Sequence, residues 1–149
     1  MKENLPIRKR IRLKEYDYSE KNMYFITICV KNRLELLGKI INDNIKLTIE
    51  GKIVKQNIDI IEKIYKNIKI DEYVIMPNHI HFLLLINYKN DITISKIIKH
   101  YKTIITREIK YHIWQKSFYE HIVRNEKEYF KIKEYIKNNV INWKKDKYF

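Results

Sequence analysis

The sequence has few of the residues that interrupt regular structure or cross-link a fold. Among 149 residues there are two glycines, two prolines, one cysteine and no alanine. The single cysteine, Cys29, excludes an internal disulfide framework and a four-cysteine zinc site. No apolar run approaches the roughly 20 residues of a membrane span, and the N-terminus lacks the apolar segment of a secretory signal. These absences predict one soluble, cytoplasmic domain, residues 1–149, with no membrane partner.

Positive charge is abundant and unevenly distributed. The chain carries 31 Lys and Arg against 18 Asp and Glu, a formal net charge of +13. The segment 15–86 is neutral, so the excess lies in residues 1–14 of the N-terminal arm (1–20) and in the second half of the chain. This placement favours a polyanionic partner such as nucleic acid, although solvated faces are the alternative and the bias toward Ile and Lys follows AT-rich codons. The candidate contacts are Arg8, Arg10, Arg12, Lys99, Lys102 and Arg107.

Hydrophobic periodicity predicts an α+β fold. Strands are predicted at 23–30, 69–76, 79–86 and 117–123, with a small hairpin formed by 36–41 and 44–49. Helical spacing predicts helices over 50–67, 93–111 and 126–138, the last capped by Asn125. Without the hairpin, the order βαββαβα is the split βαβ, ferredoxin-like pattern. Two helices should cover one face of the antiparallel sheet, leaving the other for the third helix or a ligand.

The sequence His79-Ile80-His81 opens the most apolar of these strands. Side chains at i and i+2 of a strand project from the same face, so the two imidazoles should lie a few ångströms apart. Neutral imidazole is the commonest protein ligand for divalent transition metals, and an unpartnered pair of histidines is costly to bury. The alternative is two ordinary polar residues on a half-exposed strand.

Tyr135 and Asn139 are spaced i, i+4, which places them on one face of a helix. An Asn amide oxygen can complete a metal shell begun by two histidines, and a Tyr one turn away can place its phenol beside that metal. Because the chain has 12 tyrosines, Tyr135 as a core residue is the alternative. His121 is a further candidate site residue, with a satisfied core histidine as its alternative.

Three blocks in order carry a family resemblance: MPNHIH at 76–81, WQKSFYEHIVRN at 114–125 and EYIKNN at 134–139. The chain resembles the REP-associated tyrosine transposases, which belong to the single-tyrosine HUH superfamily with an IS200-like transposase domain. The resemblance implies a ferredoxin-like, RRM-like sheet with a C-terminal helix that carries the nucleophile. It also implies that Tyr135 is this nucleophile and that His79, His81 and Asn139 bind Mg²⁺ or Mn²⁺.

The implied enzyme is a metal-dependent endonuclease and strand transferase, which nicks and rejoins single-stranded or hairpin DNA through a 5′-phosphotyrosine. Val140 stands where the family usually has Pro, so we expect the helix to continue and to re-aim Asn139. Monomer and homodimer both stay open, as does attack by Tyr135 in cis or across a dimer. Two rival functions remain: an RRM-like module that binds single strands without cleavage, and a metal-dependent hydrolase without a covalent step.

Overall fold

The computed structural model of the chain describes residues 22–87 and 92–145, and in these ranges the elements follow the predicted order. The strands are β1 (Asn22–Cys29), β2 (Gly38–Ile41), β3 (Asn44–Leu47), β4 (Ile68–Ile75), β5 (His79–Ile86) and β6 (Tyr119–Ile122). The helices are α1 (Ile49–Ile64), α2 (Ile94–Ile109) and α3 (Glu126–Lys137). The N-terminal arm, with Arg8, Arg10 and Arg12, lies outside the described residues.

Several predicted boundaries differ from the observed ones by one to three residues, and two of the differences have a clear backbone reason. The last strand begins at Tyr119 rather than at residue 117, because Ser117 has a φ of 70° and cannot continue a strand. The first helix ends at Ile64, since Tyr65 already has an extended backbone. The predicted turn between β2 and β3 is confirmed, with positive φ at Asn42 and Asp43 as a tight hairpin turn requires.

Four antiparallel strands form the sheet in the order β4-β5-β1-β6. Met76, Pro77 and Asn78 connect β4 to β5, and β1 pairs with β5 along its whole length. The α+β, ferredoxin-like prediction is therefore confirmed. None of the helices in the described ranges combines the length and apolar character needed to cross a bilayer.

The main core lies between one face of the sheet and helices α1 and α2. Apolar residues of β1 and β5 that point to this face, such as Ile26, Ile28 and Phe82, are buried against the helices. Thr48 and Thr93 cap the two helices by accepting hydrogen bonds from backbone N–H groups. The first two helices thus cover one sheet face, as predicted.

The opposite sheet face carries helix α3. Leu83 on β5, Val123 after β6 and Ile136 on α3 form a second, smaller buried cluster. Asn125 caps α3 by accepting a hydrogen bond from the Glu128 N–H at 2.8 Å, which confirms the predicted cap. Because side chains alternate along a strand, His81 and His79 share the face of Leu83 and lie beside this helix.

Candidate active site

His79 and His81 lie at the start of β5 and are both almost fully buried. Their ring centroids are 4.7 Å apart, with an angle of 71° between the ring planes. Across the sheet they stand opposite Cys29 and Thr27 of β1. The strand therefore brings the two imidazoles together on one face, as the spacing predicted, and the structure does not show them as half-exposed polar residues.

A neighbouring polar side chain orients each imidazole through Nδ1. His79 Nδ1 donates to Asn78 Oδ1 at 2.7 Å, and His81 Nδ1 lies 2.8 Å from the Thr27 hydroxyl. The Nε2 atom of each ring is shielded from solvent inside the site. Partners of this kind fix the orientation of ligating histidines and leave Nε2 as the nitrogen that would bind a metal.

Tyr135 projects from α3 beside this pair. The centroid of its ring lies 5.4 Å from that of His81 and 6.1 Å from that of Phe25, and Phe25 is stacked on His81 at 5.0 Å. The residue is 41% exposed, so the alternative of a core tyrosine was wrong. A phenol next to a buried histidine pair and open to solvent can meet an external phosphate.

Asn139 lies beyond the end of α3, and its side chain is buried. Its Oδ1 atom has no hydrogen-bond partner among the described residues. Its chain neighbours approach both histidines, since Tyr135 contacts His81 and Trp143 is stacked on His79 at 6.4 Å. The segment that contains Asn139 therefore crosses the histidine pair.

The expectation that Val140 lets the helix continue was wrong. Helix α3 ends at Lys137, although Val140 could extend it. The chain then forms turns in which the Asn139 N–H donates to the Ile136 carbonyl at 3.2 Å and the Asn142 N–H to the Asn138 carbonyl at 3.0 Å. Asn139 is consequently held by a turn rather than by a further helical turn.

The residues present suit a divalent cation. Within the described residues, no set of three histidine, cysteine, aspartate or glutamate side chains is placed to hold a metal. The buried amide oxygen of Asn139, which has no partner among the described residues, is the donor atom that a metal site with the two imidazoles would need in addition. Mixed nitrogen and oxygen ligands of this kind suit ions such as Mn²⁺.

His121 contacts α3 instead of the other two histidines. It pairs with Phe25 across the sheet, and its Nε2 atom lies 2.7 Å from Glu128 Oε2. Burial alone would raise the pKa of Glu128, but hydrogen bonds from His121 and from the Arg124 N–H hold that pKa below its usual range. His121 is exposed to solvent, so it is not the buried core histidine that was the alternative.

Lys99, Lys102 and Arg107 of α2 line a common groove. Lys99 and Arg107 are exposed. Lys102 instead donates from Nζ to the carbonyl oxygens of Gln115 and Ser117, at 2.9 and 2.8 Å, and burial lowers its pKa. The geometry therefore gives Lys102 a loop-fixing contact that charge counting did not predict.

Sequence reasoning missed the residues that surround the histidines. Thr27, Phe25 and Trp143 reach them from β1 and from the end of the chain. Only strand register and the packing of α3 place them there, and neither can be read from local sequence. Asn78 was the one local signal, because it directly precedes His79 and a ligating histidine usually donates its second ring N–H to an oxygen.

Comparison with known proteins decides the family. A family model described as "Transposase IS200 like" matches residues 18–139, a range that includes both histidines, Tyr135 and Asn139. The chain belongs to the IS200-like transposase family. This IS200-like transposase is 36% identical over 167 aligned residues to an uncharacterized protein of Haemophilus influenzae, covering 95% of this chain and 93% of that one.

Solved structures support the fold of this IS200-like transposase. A REP-associated tyrosine transposase bound to a REP hairpin superposes with a TM-score of 0.70 at 23% identity, covering 89% of this chain and 74% of that one. A protein of Deinococcus radiodurans R1 gives a TM-score of 0.54 at 19% identity, covering 86% and 96% of the two chains. At these identities the likeness shows the shared fold alone.

Proposed function

We propose that this IS200-like transposase nicks and rejoins single-stranded DNA, with Tyr135 as the nucleophile. The observation that carries the proposal is the position of Tyr135, whose solvent-exposed ring lies 5.4 Å from the ring of the buried His81. His79, His81 and Asn139 would hold a divalent cation, Mg²⁺ or Mn²⁺. When bound, such a cation supplies a positive charge that polarises the scissile phosphate.

The proposed covalent step exchanges one phosphodiester for another. The phenolic oxygen of Tyr135 loses its proton to solvent and forms a bond to phosphorus, while the bond from phosphorus to the 3′ oxygen breaks. The products are a 5′-phosphotyrosine and a 3′ hydroxyl, which takes up a proton. Attack by a 3′ hydroxyl on the phosphotyrosine reverses the step and joins strands, so no nucleotide cofactor is required.

The other residues of the site position these groups. Thr27 and Asn78 fix the histidine rings through their Nδ1 atoms. Phe25 packs against both His81 and Tyr135, and it thereby limits the orientations that the phenol can take. A prearranged nucleophile lowers the entropy cost of reaching the transition state.

We further propose that the substrate is a DNA hairpin with single-stranded flanks. A structurally similar REP-associated tyrosine transposase is bound to a REP hairpin. In this chain the segment 87–123 carries a net charge of +4, and the groove on α2 that it contributes is lined by cationic side chains. Cationic surfaces of this kind bind the phosphate backbone.

Covalent capture tests the proposal. A hairpin oligonucleotide with randomised single-stranded flanks and a 3′ fluorescent label is incubated with the protein and Mg²⁺ or Mn²⁺, and the products are separated under denaturing conditions. We expect labelled protein with the unmodified chain and with Tyr111→Phe, an exposed tyrosine on the helical side, and none with Tyr135→Phe.

Two results would overturn the proposal. Cleavage that persists in Tyr135→Phe would indicate a metal-dependent hydrolase with no covalent step. Binding of the hairpin with neither cleavage nor adduct in either metal would indicate an RRM-like binding module.

A further inference from the structure

A groove of about 470 Å³ lies between helix α2 and the loop 111–118 that leads to β6. One wall is the exposed side of α2, and the other is the loop. Trp114 and Phe118 pack on one side against the main core while they also line the groove. The groove therefore offers aromatic surface to a ligand.

The charged side chains in the described lining of the groove are all cationic. Its described lining includes Lys99, Arg107 and Lys116, all exposed, together with several hydroxyl groups, and it includes no aspartate or glutamate. Phosphate oxygens are the ligands that such a set binds, and an aromatic platform beside them suits the face of a base.

The loop wall is held in place before any ligand arrives. Lys102 reaches across the groove and donates to the carbonyl oxygens of Gln115 and Ser117. Trp114 forms a β-bridge with Val30, and the Gln115 N–H donates to the Cys29 carbonyl at 2.8 Å. A groove fixed in this way binds without the cost of ordering its walls.

The groove lies at the same end of the sheet as the histidine pair. Val30, which pairs with Trp114, also donates its N–H to the carbonyl of Asn78 at 2.9 Å, and Asn78 directly precedes His79. One backbone position thus joins the loop wall to the start of β5. A ligand bound in the groove is therefore placed at the end of the sheet where the candidate active site begins.

We propose that this groove binds an unpaired nucleotide of the DNA strand, with its phosphate on Lys99 and Arg107 and its base against Phe118 and Trp114. The choice of DNA as the strand rests on the proposed function. The groove is a binding subsite separate from Tyr135 and the three metal-ligand candidates. Lys102 acts in it as a positioning residue that fixes the loop.

Salt-dependent binding tests the phosphate contacts. In a Tyr135→Phe background, which blocks the covalent step, affinity for a fluorescent single-stranded oligonucleotide of thymidines is measured over a range of salt concentrations. We expect Lys99→Gln with Arg107→Gln to reduce the slope of log affinity against log salt by about 0.7, the value for one neutralised phosphate of a single strand. The matched pair Lys52→Gln with Lys55→Gln, exposed on α1, removes equal charge and should leave the slope unchanged.

A second probe tests the base contact. The unmodified groove should bind the thymidine oligonucleotide at least about fivefold more tightly than an abasic strand of the same length. Phe118→Leu, with its fold checked by circular dichroism, should reduce that preference. Two results would overturn the proposal: an equal change of slope in the Lys99/Arg107 and Lys52/Lys55 variant pairs, or equal affinity for the thymidine and abasic oligonucleotides. Because neither readout requires cleavage, the proposal can fail while the adduct with Tyr135 forms, and the reverse.

Discussion

Thr27 and Asn78 show how single residues determine the site without taking part in the chemistry. Each holds one histidine by Nδ1. The sequence predicted the histidine pair because the i, i+2 spacing is local. Thr27 could not be predicted, since it meets His81 only through the register of β1 on β5, and the two residues are 54 positions apart in sequence.

Replacing Thr27 by valine keeps the shape of the side chain and removes the hydroxyl near His81 Nδ1. We expect the affinity for Mn²⁺ to fall about 10- to 100-fold, as it does when an orienting partner of a metal ligand is lost. Isothermal titration calorimetry measures this affinity. Thr103→Val, on α2, serves as the matched control and should leave it unchanged. Unchanged affinity in Thr27→Val would contradict the proposed role of His81.

Asn139 differs from a residue kept for stability, because its buried Oδ1 atom has no partner among the described residues. Asn139→Leu should therefore leave the free energy of unfolding without metal unchanged or higher, by up to about 1 to 2 kcal/mol. It should also abolish the rise in melting temperature that Mn²⁺ produces by binding the folded state. The exposed neighbour Asn138→Ala should retain that rise. A large loss of stability in metal-free Asn139→Leu would argue for a structural role.

At the scale of elements, helix α3 determines whether Tyr135 meets the histidines. Three polar contacts join it to the sheet: the Tyr129 hydroxyl donates to Asp71 Oδ2 of β4 at 2.8 Å, Lys133 Nζ lies 3.6 Å from the same oxygen, and His121 of β6 meets Glu128. Burial and the Asp71 carboxylate raise the pKa of Tyr129, so its hydroxyl stays protonated as a donor. Periodicity predicted the helix and its cap, but these contacts could not be predicted because they join elements distant in sequence.

Tyr129→Phe removes the hydrogen bond between α3 and β4. We expect a loss of about 1 kcal/mol in the free energy of unfolding and slower formation of the covalent adduct, because the helix that carries Tyr135 is less firmly docked. Denaturant unfolding and adduct kinetics measure the two effects. Tyr111→Phe removes a comparable hydrogen bond, to Glu50 at 2.7 Å, and should leave the rate of adduct formation unchanged. Equal kinetics in both variants would contradict the docking role.

The contact between His121 and Glu128 predicts a dependence on pH. Because the pKa of Glu128 is lower in the folded chain than its usual 4.5, its ionised form stabilises the fold above about pH 4.5. That contribution is lost as the pH falls through the lowered pKa. It amounts to less than about 1 kcal/mol, since the pair is partly exposed.

Thermal melting of Glu128→Gln beside the unmodified chain measures this contribution. The difference in stability should be present near neutral pH and should disappear as the pH falls below 4.5. Glu126→Gln removes a carboxylate from the same helical turn without the His121 contact, and it should show a smaller difference at neutral pH. A difference in stability between Glu128→Gln and the unmodified chain that grows as the pH falls would contradict a stabilising role of ionised Glu128.

At the scale of the whole molecule, the two faces of the sheet have different roles: one packs against α1 and α2 to form the main core, and the other carries α3 and the histidine pair. The sequence predicted the order of elements and the covered face, because alternation along β1 and β5 and helical spacing in α1 and α2 are local patterns. It left open whether the other face holds α3 or a ligand. The structure shows α3 covering part of that face, with the histidine pair beside it.

The distribution of charge also gains meaning at this scale. The charge of the sequence predicted the same role, contact with nucleic acid, for Lys99, Lys102 and Arg107. The fold separates them, since Lys102 holds the loop 111–118 while Lys99 and Arg107 face the groove. The charge alone could not make this distinction, because it depends on where the loop after α2 returns to β1.

The central claim is that Tyr135 forms a covalent bond with DNA, and peptide mapping of the adduct tests it most directly. After incubation with single-stranded hairpin DNA and Mn²⁺, the protein is digested with nuclease and trypsin and analysed by tandem mass spectrometry. We predict a nucleotide attached through its 5′ phosphate to Tyr135, and none in Tyr135→Phe. A nucleotide on any other residue, or cleaved DNA with no modified peptide, would contradict the account.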